Sequence, residues 1–183
     1  MYGQLIHFSM KKFVIIILTF PITLVLYILL FSGNIKYSEE IVIDSNIDKV
    51  IELFDNPQNM KQYIYGFESY TVINGNKNEI GTISEININF NDNGKKESKI
   101  IMTEEIISNN LPIEKKLQYT SNGILNIVTN RFEKISEYET RFINEQEFVF
   151  NTYMKLLFYF SKSSLKYQTK MYLNNFKDFV ENQ

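Results

Sequence analysis

Residues 40–63 read EIVIDSNIDKVIELFDNPQNMKQY, and this stretch sets the order of the first elements of the fold. The segment 37–43 ends in three consecutive β-branched residues, which favours a strand. The polar residues at 44–46 then suit a turn and a helix N-cap. Apolar residues recur at helical spacing through 47–54, which predicts a short amphipathic helix. Pro57 opens a second short helical turn, because proline is favoured in the first turn of a helix.

After Gly66 the hydrophobic pattern changes to the period of two that is typical of strands. It predicts six strands, at about 67–73, 80–90, 95–107, 112–121, 123–135 and 138–150. The joints between them are short and rich in asparagine and glycine, and lie at 74–76, 91–94, 109–110 and 122–123. Such joints connect neighbouring antiparallel strands, so we expect a meander. A long helix from 154 to about 180 is expected to close the chain.

Five local features carry a resemblance to a known family. They are EIVIDS at 40–45, DNPQNMKQY at 55–63, Gly81 in the first long hairpin, Leu111-Pro112 before the fifth strand, and LNNFK at 173–177. With the order of elements, they make the chain from residue 37 to its end resemble the START and birch-pollen-allergen (Bet v 1) superfamily. This is the polyketide cyclase/dehydrase and lipid-transport group known as SRPBCC. The family usually has a tryptophan where Tyr63 stands, and this chain has none.

The resemblance implies an α+β helix-grip fold, in which a curved antiparallel β-sheet wraps around a long C-terminal helix. In such proteins an apolar cavity lies between the sheet and the helix. The resemblance therefore implies a hydrophobic small molecule or a lipid as ligand, and it names no particular compound.

An uncharged run of nineteen residues, FVIIILTFPITLVLYILLF, occupies 13–31. As a helix it would span about 28 Å, close to the hydrocarbon thickness of a bilayer. A cleaved signal peptide is the alternative, but the run is longer than an ordinary signal core and LFSG at 30–33 is a poor cleavage site. We therefore expect a short tail at 1–12, a transmembrane helix at 13–31, a linker at 32–36 and one domain at 37–183.

Formal charge is distributed unevenly along the chain. The first 36 residues carry +3, and the remainder carries 16 basic and 21 acidic groups. An acidic domain argues against nucleic acid as a partner, because phosphate binding needs clustered positive charge. Lys11 and Lys12 precede the apolar run and Lys36 follows it, which favours a cytoplasmic N-terminus and an extracytoplasmic domain at the cell membrane. MKKF at 10–13 is typical of the start of an anchored bacterial chain, so Met10 is an alternative start. The oligomeric state is not indicated.

The domain has few residue types for catalysis. The only histidine, His7, precedes the apolar run, and the chain has no cysteine. These facts exclude Ser/His and Cys/His nucleophilic catalysis in the domain, and a zinc site built from histidine or cysteine. No segment has the spacing of a calcium loop. We expect no metal and no cofactor, so that any chemistry would come from carboxylate, tyrosine or amide groups.

Strand phase predicts which polar side chains face inward. In the third long strand, Glu104 alternates with the apolar residues of the inner face. In the last two strands the same argument places Asn130, Asn144 and Gln146 inside, beside Phe148. A bulge, or a position near an open end of the sheet, would instead leave Glu104 solvated. The amides would either contact a ligand or bond to one another.

The predicted C-terminal helix has small and polar residues at the centre of its apolar face, including Ser161, Ser164 and Gln168. This pattern favours a helix that lines a cavity and offers hydrogen bonds to a ligand. The alternative is that these residues bond to one another or to the amides of the sheet. A stripe of lysines on the opposite side indicates a solvated face, or a contact with anionic headgroups. Its members are Lys155, Lys162, Lys166, Lys170 and Lys177.

The sequence thus favours a membrane-anchored domain that binds a hydrophobic small molecule or lipid in an internal cavity. The expected ligand contacts are Asn130, Asn144, Gln146, Phe148, Ser161, Ser164 and Gln168. One alternative is a cyclase- or dehydratase-like enzyme with Glu104 as its acid or base. The other is a non-catalytic interaction domain with a filled core. A large cavity would argue against the filled core, and a buried Glu104 facing that cavity would favour the enzyme.

The lysines around the apolar run lead to a prediction about topology. Alkaline phosphatase, which is active only outside the cytoplasm, should be active when fused after Gln183. The same fusion with Lys11→Glu and Lys12→Glu is the matched control, and its activity should fall because the charge bias is removed. Activity of a cytoplasm-only reporter at this position would reverse the orientation, and a mature chain that begins near Ser32 would show that the run is cleaved.

Overall fold

The computed structural model describes residues 2–31, 33–90 and 98–183. Met1, Ser32 of the predicted linker, the expected turn at 91–94 and the first residues of the strand predicted at 95–107 lie outside the described residues. The elements in chain order are α1 (Tyr2–Phe31), β1 (Ile35–Ile43), α2 (Ile47–Phe54), a 3-10 turn (Pro57–Asn59), α3 (Met60–Tyr63), β2 (Phe67–Asn74), β3 (Ile83–Phe90), β4 (Ser98–Asn110), β5 (Glu114–Ser121), β6 (Ile124–Lys134), β7 (Thr140–Phe150), α4 (Thr152–Phe158) and α5 (Lys162–Glu181).

The seven described strands form one antiparallel sheet in the order β1-β7-β6-β5-β4-β3-β2. Strands β2 to β7 therefore follow one another as a meander, as the sequence predicts, and β1 pairs with the last strand. The chain passes from one edge of the sheet to the other through α2, the 3-10 turn and α3. Helix α5 packs along β1 and against α2 and α3.

Local chemistry explains how the two short helices join the sheet. The Asn46 side chain caps α2 by accepting a hydrogen bond from the Lys49 amide at 2.9 Å. Gly66, at the start of β2, has a positive φ of +77°. A Cβ at this position would lie 2.5 Å from the carbonyl oxygen of Asn89. Glycine at 66 therefore permits the close approach that starts the meander.

The prediction of one helix at 154–180 is wrong, because the structure has two helices separated by a turn at 159–161. Asn151 caps α4 by accepting a hydrogen bond from the Met154 amide at 2.9 Å. The Phe158 ring stacks on Phe150 at 5.1 Å, which ties α4 to the end of β7. Helix α5 instead follows β1. The two helices thus have different partners, and tertiary contacts explain a break that no proline or glycine marks.

One end of the interface between α5 and the sheet is a closed aromatic core. Phe142 of β7 and Phe176 of α5 are fully buried, with ring centroids 5.6 Å apart. Phe54 of α2 and Phe132 of β6 lie 5.5 and 4.5 Å from Phe142. Tyr63 of α3 packs edge-on against Phe176 at 5.0 Å. Such ring pairs add about 0.5–1.5 kcal/mol each beyond their burial, so this cluster fixes the C-terminal half of α5 to the sheet.

Helix α1 contains a segment, Lys12–Leu30, that is long and apolar enough to cross a membrane. It is the one helix of this kind among the residues that the structure describes. A signal sequence near an N-terminus passes the same test, so length and composition make the segment a candidate span. The helix itself begins at Tyr2, upstream of the start predicted at 13.

The contrast between Phe142 and Phe148 leads to a prediction about stability. Both rings project from the same face of β7, but Phe142 is fully buried and Phe148 is partly exposed. Phe142→Ala is expected to lower the free energy of unfolding by about 3–5 kcal/mol, because it leaves a void among packed rings. Phe148→Ala is the matched control and should cost roughly half as much or less. Chemical denaturation measures both, and equal losses would show that the packed core is not confined to the Phe142 end.

Candidate functional site

A cavity of about 510 Å³ lies between the inner face of the sheet and α5. Strands β3 to β7 supply most of its wall, and β1, β2 and the four helices after β1 supply the rest together with the loops near α2. Its main apolar lining residues are Ile86, Ile88, Met102, Leu117, Val128 and Leu165. The volume lies within the range of small-molecule sites, which is about 300–1,000 Å³.

A row of residues, which we call the central row, crosses the inner face of the sheet. Ser84 of β3, Glu104 of β4, Tyr119 of β5 and Asn126 of β6 are direct partners in successive strand pairs, and Phe148 of β7 ends the row. Directly opposed residues project to the same face of a sheet. All members except Ser84 line the cavity. The strand register thus places a carboxyl, a phenol and an amide side by side on one wall.

Glu104 is almost completely buried, with 3% of its surface exposed. Its Oε1 accepts a hydrogen bond from the Tyr70 hydroxyl at 3.1 Å, and that hydroxyl accepts one from Ser84 at 2.8 Å. Its other oxygen, Oε2, is buried without a hydrogen-bond partner of good geometry among the described residues, although Tyr119 faces the same carboxyl. One carboxyl oxygen of Glu104 is therefore hydrogen-bonded to Tyr70, and the other lies in the cavity wall without such a bond.

Burial raises the pKa of the Glu104 carboxyl above its ordinary value, because apolar surroundings disfavour the charged form. The Tyr119 and Tyr70 hydroxyls and the Lys115 ammonium group oppose this rise, and the pKa of Glu104 remains raised. Burial, followed by the nearby Glu104 charge, also raises the pKa of Tyr70 to about 12. The site is therefore a buried acid surrounded by neutral phenols that can donate hydrogen bonds.

Four amide side chains form a chain of hydrogen bonds along the cavity wall, which we call the amide relay. Asn126 donates to Gln146 at 2.8 Å, and Gln146 donates to Asn144 at 2.6 Å. Asn144 donates to Asn130 at 2.7 Å, and Asn130 reaches the carbonyl oxygen of Lys115 at 3.5 Å. The relay gives most of these polar groups a partner, so that they can border a cavity with mostly apolar walls.

A partly buried ion pair lies at the end of the cavity near α2. The Lys115 ammonium group is 2.6 Å from Asp55 Oδ1 and 3.4 Å from Asn78 Oδ1. Asn78 also donates to Asp55 Oδ2 at 2.7 Å. The positive charge of Lys115 is therefore paired with the negative charge of Asp55. Among the residues that the structure describes, no group of three or more His, Cys, Asp or Glu side chains is placed to hold a metal ion.

Most of the predicted site residues lie on the cavity wall. The ones that line it are Glu104, Asn130, Asn144, Gln146, Phe148 and Gln168. Glu104 faces inward as strand phase predicts, because the bulge in β4 lies between Ile106 and Ser108, after the carboxylate. The amides also bond to one another, which was the alternative to ligand contact. Contacts between these amides and a ligand therefore remain predictions.

The structure places Ser161 and Ser164 outside the cavity lining, so the orientation predicted for these two residues is wrong. Ser164 is exposed, and α5 turns Leu165 and Thr169 towards the cavity instead. The physical reason is the break before α5, because a helix that starts anew and leans on β1 presents a different face from one continuous helix. Gln168 borders the cavity while remaining largely exposed.

The lysine stripe is in part a packing surface rather than a wholly solvated face. Lys166 and Lys170 lie 3.2 and 3.4 Å from the two carboxylate oxygens of Glu39 on β1. Lys177 donates to the Val42 carbonyl oxygen at 2.7 Å. These contacts hold α5 against the edge strand along half of its length.

Four residues of the site were missed by the sequence-based assignment, namely Tyr70, Lys115, Tyr119 and Asn126. The phase of β5 could have indicated two of them, because Lys115 and Tyr119 alternate with the inward Leu117. Phase in β6 similarly places Asn126 on the face of Val128. Tyr70 had no such pattern, since β2 pairs with β3 through two irregularities of register.

The raised pKa of Glu104 predicts that stability depends on pH. A carboxyl with a raised folded-state pKa contributes stability that is fully present below its unfolded pKa and is lost as the pH rises through the folded-state pKa. Glu104→Gln stays neutral, so its stability should not fall over this window. The Tm of the variant minus that of the wild type should therefore grow as the pH rises above the ordinary pKa of a glutamate, which is about 4.3. Glu105→Gln is the neighbouring control, and a difference for Glu104→Gln that is independent of pH would contradict the assignment.

Comparison with known proteins bears on the fold. No family model matches the chain, and no curated protein matches it. The crystal structure of Ara h 8.0201 aligns with a TM-score of 0.63 at 11% identity, covering 82% of this chain and all of that one. The Zhui aromatase/cyclase from Streptomyces sp. R1128 aligns with a TM-score of 0.61 at 9% identity, covering 81% and 94%.

A norcoclaurine synthase point mutant from Thalictrum flavum, bound to a transition-state analogue, aligns with a TM-score of 0.57 at 13% identity. The alignment covers 81% of this chain and 96% of that one. At these identities the similarities concern the fold. The chain has the α+β helix-grip fold of the Bet v 1-like proteins, with a seven-stranded antiparallel sheet and a C-terminal helix.

Proposed function

We propose that this protein binds an apolar small molecule or a lipid in the cavity between the sheet and α5. The observation that carries the proposal is the cavity itself, which has a volume of about 510 Å³ and mostly apolar walls. A sheet and a helix that only formed an interaction scaffold would fill this space with side chains, because protein interiors are close-packed. The neighbours of known chemistry are in agreement, since they include an aromatase/cyclase and a norcoclaurine synthase.

The distribution of packing along α5 supports a binding role. Its C-terminal half is held by the aromatic core around Phe176, whereas its N-terminal half borders the cavity through Leu165 and Thr169. Thr169 is buried and its hydroxyl lies 3.0 Å from the Tyr37 hydroxyl of β1. Side chains held by the protein's own contacts thus form the wall of the cavity, which is typical of small-molecule sites.

The proposed location is the cell membrane, with the segment Lys12–Leu30 as a single span, a cytoplasmic N-terminus and the domain outside the cytoplasm. The span is apolar and its side chains are largely exposed, as a lipid-facing helix requires. Strand β1 begins at Ile35, only four residues after α1 ends at Phe31. A joint of this length would keep the cavity close to the membrane surface, where apolar ligands accumulate.

Catalysis is a second candidate function, and Glu104 is the observation that favours it. A buried carboxyl with a raised pKa on a cavity wall can act as a general acid or base in a cyclisation or dehydration. Tyr70 would hold the carboxyl in place, and the amide relay would orient a substrate. Loss of turnover in Glu104→Gln, with ligand affinity retained, would favour this function over simple binding.

The binding proposal predicts that the cavity can be filled without unfolding the protein. Val128→Phe places a larger side chain at the middle of the cavity wall on β6. It should reduce binding of the apolar dye Nile red about tenfold or more while leaving the Tm within a few degrees of the wild type, because an open cavity accepts added volume.

Ser164→Leu is the matched control for Val128→Phe, because it adds a large apolar side chain on α5 outside the cavity lining. This variant should bind the dye as the wild type does. Val128→Phe could instead lower the Tm strongly and leave dye binding unchanged. That result would mean that the cavity is closed in solution, and it would contradict the binding proposal.

A further inference from the structure

Two buried oxygen atoms on the cavity wall have no hydrogen bond of good geometry among the described residues, although Tyr119 lies close to one of them. They are Oε2 of Glu104 and Oδ1 of Asn126. Both residues belong to the central row and line the cavity. A buried acceptor without a donor costs roughly 1–3 kcal/mol, so such atoms are rare unless something else supplies the donor.

The amide relay fixes which atom of Asn126 lacks a partner. The relay ends at the carbonyl oxygen of Lys115, which can only accept, so Asn130 must present its NH₂ group there. Reversing any amide in the series would set two oxygens or two NH₂ groups against each other. The order therefore propagates to Asn126, whose NH₂ group faces Gln146 and whose oxygen is left over. The unpaired atom of Asn126 is therefore its side-chain oxygen, which is a hydrogen-bond acceptor.

No donor among the described residues reaches either oxygen with good hydrogen-bond geometry. Tyr119 stands between Glu104 and Asn126 in the central row, and its hydroxyl carries a single proton. It can donate to one of the two at most. Tyr70 already donates to the other oxygen of Glu104, and Lys115 is paired with Asp55. At least one acceptor in the row is therefore open to a donor from outside the protein, and the oxygen that Tyr119 reaches keeps a second lone pair for another donor.

The distance between Glu104 and Asn126 limits which ligands could bind both residues. Glu104 and Asn126 are two strands apart, which separates them by roughly 10 Å across the sheet. A single small polar group cannot contact both. Apolar residues such as Leu117 and Val128 occupy the neighbouring positions of β5 and β6 on the same face. The wall is therefore polar at two points and apolar beside them.

We propose that the ligand of this cavity is an uncharged, mostly apolar molecule with hydroxyl groups at its two ends, one bound by Glu104 and the other by Asn126. The proposal rests on the binding function proposed above and narrows its ligand class. A hydroxyl group suits Glu104 in either protonation state, because it both donates and accepts. A fatty-acid carboxylate fits poorly, since the row offers it acceptors and an acid, and the nearest ammonium group is paired with Asp55.

The test compares three probes on the full-length chain in detergent: 4,4′-dihydroxybiphenyl, 4,4′-difluorobiphenyl and unsubstituted biphenyl. Fluorine is similar in size to a hydroxyl group but donates no hydrogen bond. Displacement of Nile red, corrected with protein-free micelles, gives the affinities. The dihydroxy compound should bind about tenfold more tightly than the difluoro compound, as expected for two hydrogen bonds to buried acceptors.

Asn126→Leu removes one acceptor and should reduce this preference to a few fold. Gln118→Leu is the matched control, because Gln118 is an amide on β5 that faces away from the cavity, between the inward residues Leu117 and Tyr119. It should keep the full preference. The wild-type comparison needs no variant, so the proposal remains testable if Asn126→Leu fails to fold.

Two results would overturn the proposal, and they differ in what else they affect. Equal affinity for the dihydroxy and difluoro compounds would mean that water alone satisfies the two oxygens, which leaves the binding function standing. Failure of all three probes to displace the dye, unsubstituted biphenyl included, would remove the binding function and this inference with it.

Discussion

The packing of Phe176 against Phe142 is the contact on which the rest of this structure depends. It joins α5 to the sheet at one end, where rings from α2, α3 and β6 close around it. One helix cannot cover the whole inner face of a seven-stranded sheet. Because the helix is fixed at its C-terminal half and held to β1 by Glu39, its N-terminal half leaves the face of β3 to β6 uncovered, and the cavity follows from that geometry.

Polar groups can lie in a wall of this kind only if they have hydrogen-bond partners. The strand register determines which groups meet. Asn130 and Asn144 are directly opposed across β6 and β7, so their amides meet, and Gln146 lies two residues along the same face. Glu104 has no such amide partner and relies on Tyr70 from the edge strand. The polar groups therefore divide into a series of amides that lacks a partner only at its Asn126 oxygen, and a carboxyl that is held by Tyr70 at one oxygen. This difference gives the cavity its chemical character.

The order of elements and the phase of the long strands could be predicted from the sequence because both depend on local periodicity. Glu104 shows how this works, since alternation with Met102 and Ile106 placed it inside and the bulge of β4 comes only afterwards. The face of α5 could not be predicted in the same way. Whether Ser164 or Thr169 points inward depends on the direction in which the helix docks. Tertiary contacts such as that of Phe158 with Phe150 decide this direction, and the periodicity of the helix does not show them. Strand phase could have placed Lys115 inside, but its pairing with Asp55, sixty residues away in the chain, could not be predicted from local pattern.

Native mass spectrometry of the full-length chain, released from detergent after purification from its host, tests the central claim most directly. The account predicts a species heavier than the 21.7 kDa chain by the mass of one small molecule, and exchange of that molecule for an added apolar probe at one-to-one stoichiometry. A chain that appears only at its own mass, and that gains none when saturated with the probe, would contradict the claim that the space between the sheet and α5 is a binding site.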